Sequence, residues 1–370
     1  MKIGILGSRG IPNAYGGFEQ FAEYLSVGLH EKGHSVFVYN SSLHLYKQSQ
    51  WKGVNIIYCN DWENKLGTAG QLIYDLNCLK DARKRNFDVL LHLGYTSDAV
   101  WHKQWPKTAV NMMNMDGLEW KRAKYGITAK LFLKWSESLV AKKADILIAD
   151  STIIQDHLLK KYKKHSAYIP YGASVFDTPN ADILKKIYLQ PFSYFLMIGR
   201  IEPENNMEMV IKAWLASQTR YPLCIIGNTS TRMGKYLLKK YGGTNIIFPG
   251  AVYDTETINN LRYFSSIYFH GHSVGGTNPS LLEAMACDCR VVAHNNSFNR
   301  SVLGEDADYF RKVEDIILVI NTAIDENIIQ KRKKSNIEKI RSVYDPQKII
   351  DDYEKLMVQA ISTKTGKSPD

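Results

Sequence analysis

The sequence predicts an α/β protein built from two doubly wound parallel sheets. Short runs rich in Val, Ile and Leu alternate with helical patterns along the whole chain. The runs are apolar on both faces, as strands are in a parallel sheet that helices cover on both sides. The alternation restarts near the middle of the chain, which indicates two sheets joined by right-handed crossovers.

Residues 1–170 form the first predicted domain. Its strands are expected at Ile3–Leu6, Ser35–Tyr39, Val54–Tyr58, Val89–Leu93, Thr108–Met112 and Ile146–Ala149. Between them, Glu19–Lys32 and Gln71–Arg85 repeat apolar residues at helical spacing. A further strand is expected to end at Ile169, where Pro170 and Gly172 mark the domain boundary.

Residues 171–345 form the second predicted domain. Its strands are expected at Tyr194–Ile198, Leu223–Ile226, Ile246–Phe248, Ser266–Phe269 and Arg290–Ala293. A helix is predicted over Glu202–Ser217, and a last amphipathic helix over residues 346–361. We expect the polar segment 362–370 to be disordered.

Composition and charge narrow the class of protein. The chain has 370 residues, 45% hydrophobic residues, and no apolar run near the roughly 20 residues that span a bilayer. Its first ten residues are too short and Gly-rich for a signal peptide. Five cysteines without a Cys-x-x-Cys spacing favour reduced thiols in a cytosolic protein. Residues 1–170 carry 23 Lys and Arg against 15 Asp and Glu, or +8, whereas the remainder carries +2.

An excess of positive charge in the first domain indicates an anionic partner, with a solubilising surface as the alternative. Cations are interleaved with Trp120, Leu131, Phe132 and Trp135 over residues 120–143, and Lys160–Lys164 adds a second cluster. Such a stretch is typical of a membrane interface, and equally of a core-facing helix with a basic outer face. No nucleic-acid-binding module is recognisable, so nucleic acid is not an expected partner.

A glycine-rich loop follows the first strand. It is neither a dinucleotide fingerprint, because Leu6 occupies a glycine position, nor a P-loop, because no Lys-Ser or Lys-Thr follows. It is expected to be flexible and to end in Gly16-Gly17 at a helix N-terminus, where backbone N–H groups can bind an anion. A simple strand–helix turn is the alternative.

Two segments of the second domain carry the strongest signal. Arg200 follows a predicted strand, so it faces the crevice at the carboxyl end of the sheet, and its planar guanidinium suits a diphosphate. Later, a loop containing Gly275, Gly276, Thr277 and Asn278 opens a helix that carries Glu283. That carboxylate can reach a ribose, or it can simply compensate the helix dipole.

These segments resemble the retaining GT-B glycosyltransferases of family four. The resemblance rests on Gly-Arg-x-x-Pro-Glu at 199–204, the glycine loop, and Pro-Ser-Leu-Leu-Glu-Ala-Met-Ala at 279–286. The N-terminal Gly-Ser-Arg-Gly-Ile-Pro segment and Asp-Gly-Leu-Glu-Trp-Lys-Arg at 116–122 resemble the bacterial rhamnosyltransferase branch. The resemblance implies two Rossmann-like domains that face a cleft, with the last helix crossing back to the first domain.

The resemblance also implies donor-binding residues, most of which lie in the second domain. Arg200 would bind the donor diphosphate and stabilise its charge, and Glu283 would bind the ribose. The remaining donor-binding positions are Gly16, Gly17, Asn205, Gly275, Gly276, Thr277 and Asn278. Asn205 stands where the family commonly has Lys, and Gly275 stands where it has the first of two paired glutamates. A 6-deoxy sugar lacks a hydroxyl that such a glutamate would bind, which fits glycine at position 275.

Candidate acceptor-side residues lie in the first domain. Asp116 follows a predicted strand and can orient the acceptor hydroxyl or act as its base, or else cap the next helix. Tyr95 also follows a strand, and His92 is either an acceptor contact or a core histidine. Asp306 and Asp308 match an Asp-x-Asp metal signature but are interpreted as a surface turn, so neither a metal nor another cofactor is expected.

The leading hypothesis is a transferase that moves L-rhamnose from dTDP-β-L-rhamnose to a lipid-diphosphate-linked saccharide for a bacterial surface polysaccharide. It would act on the cytoplasmic face of the cell membrane and bind a nucleotide-sugar, the lipid-linked acceptor and an anionic membrane surface. The alternatives are a UDP- or GDP-sugar donor, and a catalytically silent nucleotide-sugar-binding protein.

Overall fold

The chain divides into two compact units in the computed structural model, which describes residues 1–14, 16–122 and 125–366. One unit contains residues 1–121, 125–171 and the chain from Pro346 onward, and the other contains Gly172–Asp345. Each unit is a mainly parallel sheet whose strands are connected by helices. The predicted α/β class with two Rossmann-like domains is thereby confirmed.

The first unit is built on an eight-stranded sheet of order β3-β4-β2-β1-β5-β6-β7-β8. The strands are β1 (Lys2–Leu6), β2 (Ser35–Ser41), β3 (Gln50–Trp51), β4 (Val54–Cys59), β5 (Val89–Leu93), β6 (Val110–Asn114), β7 (Ile146–Ala149) and β8 (Ala167–Tyr168). All neighbours pair in parallel except β3 with β4. Because β2 and β5 flank β1, the winding reverses between β1 and β5, and a crevice opens at their carboxyl ends.

The helices of this unit are α1 (Gly17–Glu31), α2 (Glu63–Leu66), α3 (Thr68–Ala82), α4 (Ile127–Lys143) and α5 (Thr152–Tyr162). Short 3-10 turns occupy Asp98–Gln104 and Glu119–Lys121. The inner face of α1 buries Phe21, Ala22, Leu25 and Leu29, which recur at helical spacing.

The second unit repeats this plan with a six-stranded parallel sheet of order β11-β10-β9-β12-β13-β14. The strands are β9 (Phe195–Ile198), β10 (Leu223–Ile226), β11 (Ile246–Gly250), β12 (Ile267–His270), β13 (Val291–His294) and β14 (Asp308–Phe310). The winding reverses between β9 and β12 because β10 and β12 flank β9. The loops after β9 and β12 therefore border the crevice of this sheet.

Seven helices cover this sheet within its described residues: α6 (Met207–Ala216), α7 (Arg232–Tyr241), α8 (Thr255–Tyr263), α9 (Pro279–Ala286), α10 (Ser297–Leu303), α11 (Val313–Asn321) and α12 (Glu326–Ser342). Further 3-10 turns lie at Ala181–Ile187 and Pro203–Asn205. No helix in the described part of the chain is both long and apolar enough to cross a membrane.

The last helix, α13 (Pro346–Thr365), packs on α1 in the first unit. Its Tyr353 ring lies 5.4 Å from that of Phe21, and Glu354 pairs with Lys32 at 2.7 Å. The predicted end at residue 361 is wrong, because the helix continues through 362–365. There the ammonium of Lys364 donates to the Ala109 carbonyl at 2.6 Å and lies 2.9 Å from Asp145. The rest of the predicted disordered segment, 367–370, falls outside the described residues.

Two other predicted elements are shifted. The strand expected at Thr108–Met112 is β6, which begins two residues later, because the Asn111 amide donates to the carbonyls of Pro106 and Ala109 and holds the preceding turn. The helix expected over Glu202–Ser217 begins only at Met207. Asn206 before it has a left-handed backbone with φ of 53°, which separates the 3-10 turn from α6.

A buried carboxylate, Glu137 of α4, holds the basic part of the first unit together. It accepts hydrogen bonds from Trp120 Nε1, His157 Nε2 and Lys161 Nζ at 2.9 Å each, and from the Tyr162 hydroxyl at 2.6 Å. Burial favours the neutral acid, but the four hydrogen bonds outweigh it and lower the pKa of Glu137 to about 2. Lys161, a member of the basic cluster Lys160–Lys164, is therefore a hydrogen-bond donor inside the fold.

Replacing Glu137 by Gln should destabilise the protein by about 3 kcal/mol at pH 7, since the folded pKa lies well below the unfolded value. The stabilisation is complete above the unfolded pKa and is lost as the pH falls toward the folded pKa of about 2. Denaturant unfolding of both proteins at pH 7 and at low pH measures it. The exposed Glu31→Gln serves as a control with an expected change within about 0.5 kcal/mol. Equal stability of Glu137→Gln and Glu31→Gln at pH 7 would contradict this role.

Candidate functional site

Arg200 lies where the winding of the second sheet reverses. It follows β9 by two residues, and its side chain is exposed to solvent. The loops after β9 and β12 are joined there, because the Glu204 carbonyl accepts hydrogen bonds from the backbone and hydroxyl of Ser273 at 3.0 and 2.8 Å. The Asn206 amide also donates to the Gly271 carbonyl at 2.8 Å. Arg200 is thus an exposed cation on a fixed loop.

Asn205 supports this loop from inside. Its side chain is buried and donates to the Arg200 carbonyl at 2.6 Å. Gly271 approaches its backbone so closely that a Cβ atom would collide with the Asn205 carbonyl. The prediction that Asn205 contacts the nucleotide-sugar directly is therefore corrected. Its side chain is only 4% exposed and is hydrogen-bonded within its own loop, so its role is to position Arg200.

The glycine loop leads into α9. Gly275 has a φ of +145°, which residues with a side chain rarely adopt, and a Cβ atom there would meet open space. The backbone conformation therefore favours glycine at position 275, where the family that this chain resembles carries glutamate, and crowding does not. Gly276 is half-buried and Thr277 is buried. Asn278 is the N-cap of α9, since its side-chain oxygen accepts from the Ser280 N–H at 2.9 Å.

Glu283 lies within α9 and is 22% exposed. Its Oε2 atom accepts a hydrogen bond from the guanidinium of Arg262, which is buried. Although burial opposes a charged guanidinium, the neighbouring Glu283 raises the pKa of Arg262 above its ordinary range. The carboxylate is thus held by a cation and does not merely compensate the helix dipole.

Two stacked histidines end β12. The rings of His270 and His272 lie 4.5 Å apart with an interplanar angle of 16°, and neither ring nitrogen of His270 has a hydrogen-bond partner among the described residues. Burial, and then the charge of Arg200, lower the pKa of His272 to about 3, so it is neutral at neutral pH. The sequence patterns assigned no role to either histidine.

Gly16 and Gly17 form the N-terminus of α1 in the first unit. The loop before them was expected to be flexible, but its backbone is held. The Arg9 N–H donates to the buried Glu19 carboxylate at 2.8 Å, and the Asn40 amide both accepts from and donates to Ile11. The Glu19 carboxylate therefore lies in the first turn of this helix, at the N-terminus where an anion was expected to bind.

His92 is not exposed to an acceptor. It is fully buried in β5, with Nδ1 2.8 Å from Asp98 Oδ2 and Nε2 3.3 Å from Asn111 Oδ1. Asp75 lies in the same cluster, where burial and next the Asp98 carboxylate raise its pKa to about 7. The acceptor role is corrected here, because a completely buried imidazole cannot contact a substrate.

Tyr95 is also buried, and its hydroxyl donates to the Gly117 carbonyl at 3.4 Å. It therefore supports the loop after β6 and does not line the acceptor side with its own side chain. Asp116, in that loop, is half-buried and accepts a hydrogen bond from the Tyr171 hydroxyl at 3.3 Å. Of the three acceptor-side candidates, Asp116 is the accessible one.

Asp306 and Asp308 are held by cations. Asp306 lies 2.7 Å from the Lys339 ammonium, and Asp308 lies 3.2 Å from Arg290 and 2.8 Å from Arg332. Asp308 begins β14, so the predicted surface turn is in part an edge strand. No group of three His, Cys, Asp or Glu residues in the described chain is arranged to hold a metal ion.

Sequence reasoning missed Arg262 and Asn206, because a buried arginine and a left-handed asparagine carry no motif of their own. Arg262 holds Glu283 and Asn206 holds the Gly271 carbonyl, and both contacts join residues that lie far apart in the sequence. Within the second unit, the structure assembles Arg200, Asn205, the glycine loop and Glu283 around the carboxyl ends of β9 and β12. Asp116 and the Gly16–Gly17 turn belong to the first unit.

Comparisons with known proteins address both units. Residues 1–174 match a family model described as a domain of unknown function, DUF1972, and residues 185–340 match the model described as Glycosyl transferases group 1. No protein of curated function matches the sequence significantly.

Solved structures share the fold across nearly the whole chain. Sucrose-phosphate synthase from Thermosynechococcus elongatus superposes with a TM-score of 0.79 at 14% identity, covering 98% of this chain and 99% of its own. HepE from Anabaena, solved in complex with UDP, gives 0.73 at 14% identity over 97% and 100%. α,α-Trehalose 6-phosphate synthase from Burkholderia multivorans gives 0.72 at 11% identity over 100% and 99%.

The two doubly wound units and these neighbours define the class: the chain has the GT-B fold, as predicted. Residues 185–340, in its second unit, match the Glycosyl transferases group 1 model. That match supports the glycosyltransferase class of enzyme. The donor, the acceptor and the branch of the family are proposed below.

Proposed function

We propose that the protein is a retaining glycosyltransferase of family four, in its bacterial rhamnosyltransferase branch. It transfers L-rhamnose from dTDP-β-L-rhamnose to a lipid-diphosphate-linked saccharide in the synthesis of a surface polysaccharide. The observation that carries the proposal is the exposed Arg200 guanidinium at the β9/β12 reversal, in the unit that matches the group 1 model. A cation at this edge suits the diphosphate of a nucleotide-sugar.

The donor is bound by the second unit in this proposal. Arg200 binds the diphosphate and stabilises the negative charge that develops as the bond from the sugar C1 to the phosphate oxygen breaks. Backbone groups of Gly275, Gly276 and Thr277 approach the phosphates and sugar, and Glu283 binds the nucleoside sugar. The open space beside Gly275, where a glutamate side chain is absent, suits a 6-deoxy sugar.

The acceptor is bound by the first unit. Its hydroxyl oxygen forms the new bond to C1 on the face that the diphosphate leaves, and its proton passes to Asp116 or to the departing phosphate. Asp116 is half-buried and hydrogen-bonded by Tyr171, so its carboxylate has a defined position. Gly16 and Gly17 remain proposed as backbone contacts to the donor.

A UDP- or GDP-sugar is the alternative donor. HepE, which shares the fold, was solved with UDP, and the contacts proposed for Arg200 and Glu283 do not depend on the base. A catalytically silent binding protein is the remaining alternative, in which the donor binds and no sugar moves.

The outer face of α4 supports a membrane-bound acceptor. Ile127, Leu131 and Trp135 recur at helical spacing on it and are 81%, 61% and 49% exposed, together with Phe132 at 40%. The inner face buries Leu133, Glu137 and Val140, so these outer residues have no place in the core. Exposed Lys134 lies on the same helix. An apolar helix face beside lysines favours docking on the anionic inner face of the cell membrane.

Donor transfer should depend on Arg200. The protein is incubated with dTDP-rhamnose, UDP- and GDP-sugars and a lipid-diphosphate saccharide, and products are read by mass spectrometry. We expect rhamnosyl transfer, with Arg200→Gln slower by about 10²-fold because a charge partner of the leaving group is lost. Arg220→Gln, a surface substitution elsewhere in the second unit, is the control. Donor binding without any product would favour the silent binding protein.

Asp116→Asn should keep donor affinity and lower turnover by about 10²- to 10³-fold, because the amide cannot take the acceptor proton. Calorimetric titration with dTDP gives the affinity, and the transfer assay gives the rate. Asn keeps the acceptor atom for the Tyr171 hydroxyl, so the loop should stay in place. Full activity of this variant would remove Asp116 from the reaction.

Binding to vesicles of phosphatidylglycerol and phosphatidylcholine should require the outer face of α4. Leu131→Ser combined with Trp135→Ser should lower sedimentation with vesicles by about tenfold, since two apolar anchors are lost. Exposed Leu318→Ser and Tyr188→Ser in the second unit are the matched controls. Binding that is unaffected by the α4 changes, or by salt and lipid charge, would contradict the proposal.

A further inference from the structure

Three lysine ammonium groups surround one indole ring in the first unit. The Nζ atoms of Lys134, Lys161 and Lys121 lie 4.8, 5.3 and 5.6 Å from the centre of the Trp120 ring. The face of the ring attracts cations, but the ring carries no net charge. The Glu137 carboxylate lies 2.9 Å from Lys161 and offsets one of the three charges. These lysines around Trp120, here called the Trp120 cluster, therefore remain positive.

The charges of the other two lysines are not offset by the fold. Within the part of the chain that the structure describes, no carboxylate lies within 4.0 Å of the Lys121 or Lys134 ammonium. Both side chains are exposed, so a ligand can reach them from solvent. The indole beneath them is fixed, because Trp120 Nε1 donates to Glu137 Oε2 at 2.9 Å.

The Trp120 cluster is compact. All three ammonium groups lie within 5.6 Å of one point, so they repel one another. An anion that concentrates negative charge in this space relieves the repulsion and accepts charge-assisted hydrogen bonds from the ammonium groups. A diphosphate concentrates more charge there than a phospholipid headgroup with a single phosphodiester.

An exposed apolar surface begins directly beside the cluster. Leu131 and Trp135 flank Lys134 on α4 at helical spacing, and they are 61% and 49% exposed. A diphosphate that is joined to a hydrocarbon chain has one part for each surface. The charged part suits the lysines, and the chain suits the outer face of α4.

The cluster also shares a loop with Asp116. Trp120 and Lys121 lie in the 3-10 turn that follows Asp116 after β6. The Lys121 N–H donates to the Leu118 carbonyl at 2.8 Å, which closes this turn. Only a few residues of ordered chain therefore connect the cluster to the carboxylate proposed to contact the acceptor hydroxyl.

We propose that the Trp120 cluster is the binding site for the diphosphate of the lipid-linked acceptor. The hydrocarbon chain lies along the outer face of α4, and the saccharide extends toward Asp116. The inference rests on the proposed function, which names a lipid-diphosphate-linked saccharide. It deepens that function by assigning the charged part of the acceptor to Lys121, Lys134 and Lys161. These lysines bind the acceptor and take no part in forming the new bond.

Decyl diphosphate has both parts of this ligand and no saccharide. Its Kd is measured by calorimetry on the full chain below the micellar concentration. Saturating dTDP, and separately the Arg200→Gln variant, remove the contribution of the proposed donor site. Lys121→Gln combined with Lys134→Gln should raise this Kd by about tenfold or more, because two charge-assisted contacts to phosphate are lost.

A second double variant is the matched control. Lys142→Gln combined with Lys143→Gln removes the same charge from exposed positions at the end of α4. It should change the Kd of decyl diphosphate by less than about twofold, since screened charges away from the ligand contribute little. Lys161 is left unchanged in both variants because it also pairs with the buried Glu137.

Kinetics separate a binding role from a role in the reaction. With the lipid-diphosphate saccharide as acceptor, Lys121→Gln combined with Lys134→Gln should raise KM about tenfold and leave kcat within about twofold. The same saccharide on an uncharged decyl group lacks the diphosphate. Wild-type protein and variant should therefore transfer to it with equal efficiency.

The outcomes are distinguishable. Weaker sedimentation of the Lys121 and Lys134 double variant with phosphatidylglycerol vesicles, at an unchanged Kd for decyl diphosphate, would assign the cluster to lipid headgroups and overturn the inference. Equal losses in both double variants would overturn it too, as would a wild-type protein that does not bind decyl diphosphate. In each case, rhamnosyl transfer would still support the proposed function. A tenfold weaker Kd in a protein that transfers no sugar would support the site and contradict the proposed function.

Discussion

The reversal of winding in each parallel sheet is the constraint on which the rest of the structure depends. Because parallel strands place all their carboxyl ends at one edge, residues that follow different strands meet there. In the second unit this edge brings together the loops after β9 and β12, although some 70 residues of chain separate them. The hydrogen bonds from Ser273 and Asn206 then fix these two loops to each other, so that Arg200 projects from a rigid base.

Several buried polar and charged side chains have partners inside the fold, and these contacts explain much of the site. Glu137 is satisfied by four donors, His92 lies against Asp98, and Arg262 holds Glu283. Glu137, His92 and Arg262 are buried by these contacts and are therefore not available to a ligand. The exposed Arg200 and the half-buried Asp116 differ from these groups, and this difference is what favours them as contacts to substrate.

Much of the fold could be predicted because buried strands of four or more residues have a clear apolar pattern. β1, β5, β7 and β10 lie where, or within one residue of where, the apolar runs predicted them. Strands β3 and β14 were missed, since two or three residues carry no periodicity. The resemblance to a known family indicated Arg200, Glu283 and the glycine loop. It could not indicate that Asn205, His92 and Tyr95 point inward, because burial depends on neighbours from other elements.

The sequence by itself determined the α/β class, the restart of the fold after residue 170 and the glycine loop that opens α9, because periodicity and the conformational freedom of glycine are local properties. Only the tertiary structure decided that α4 exposes its apolar outer face, that α13 continues to Thr365, and that Oε2 of Glu283 is held by Arg262. These outcomes depend on which surfaces pack together and on which buried charges need partners. Such choices are made between residues that lie far apart in the chain, where no local pattern records them.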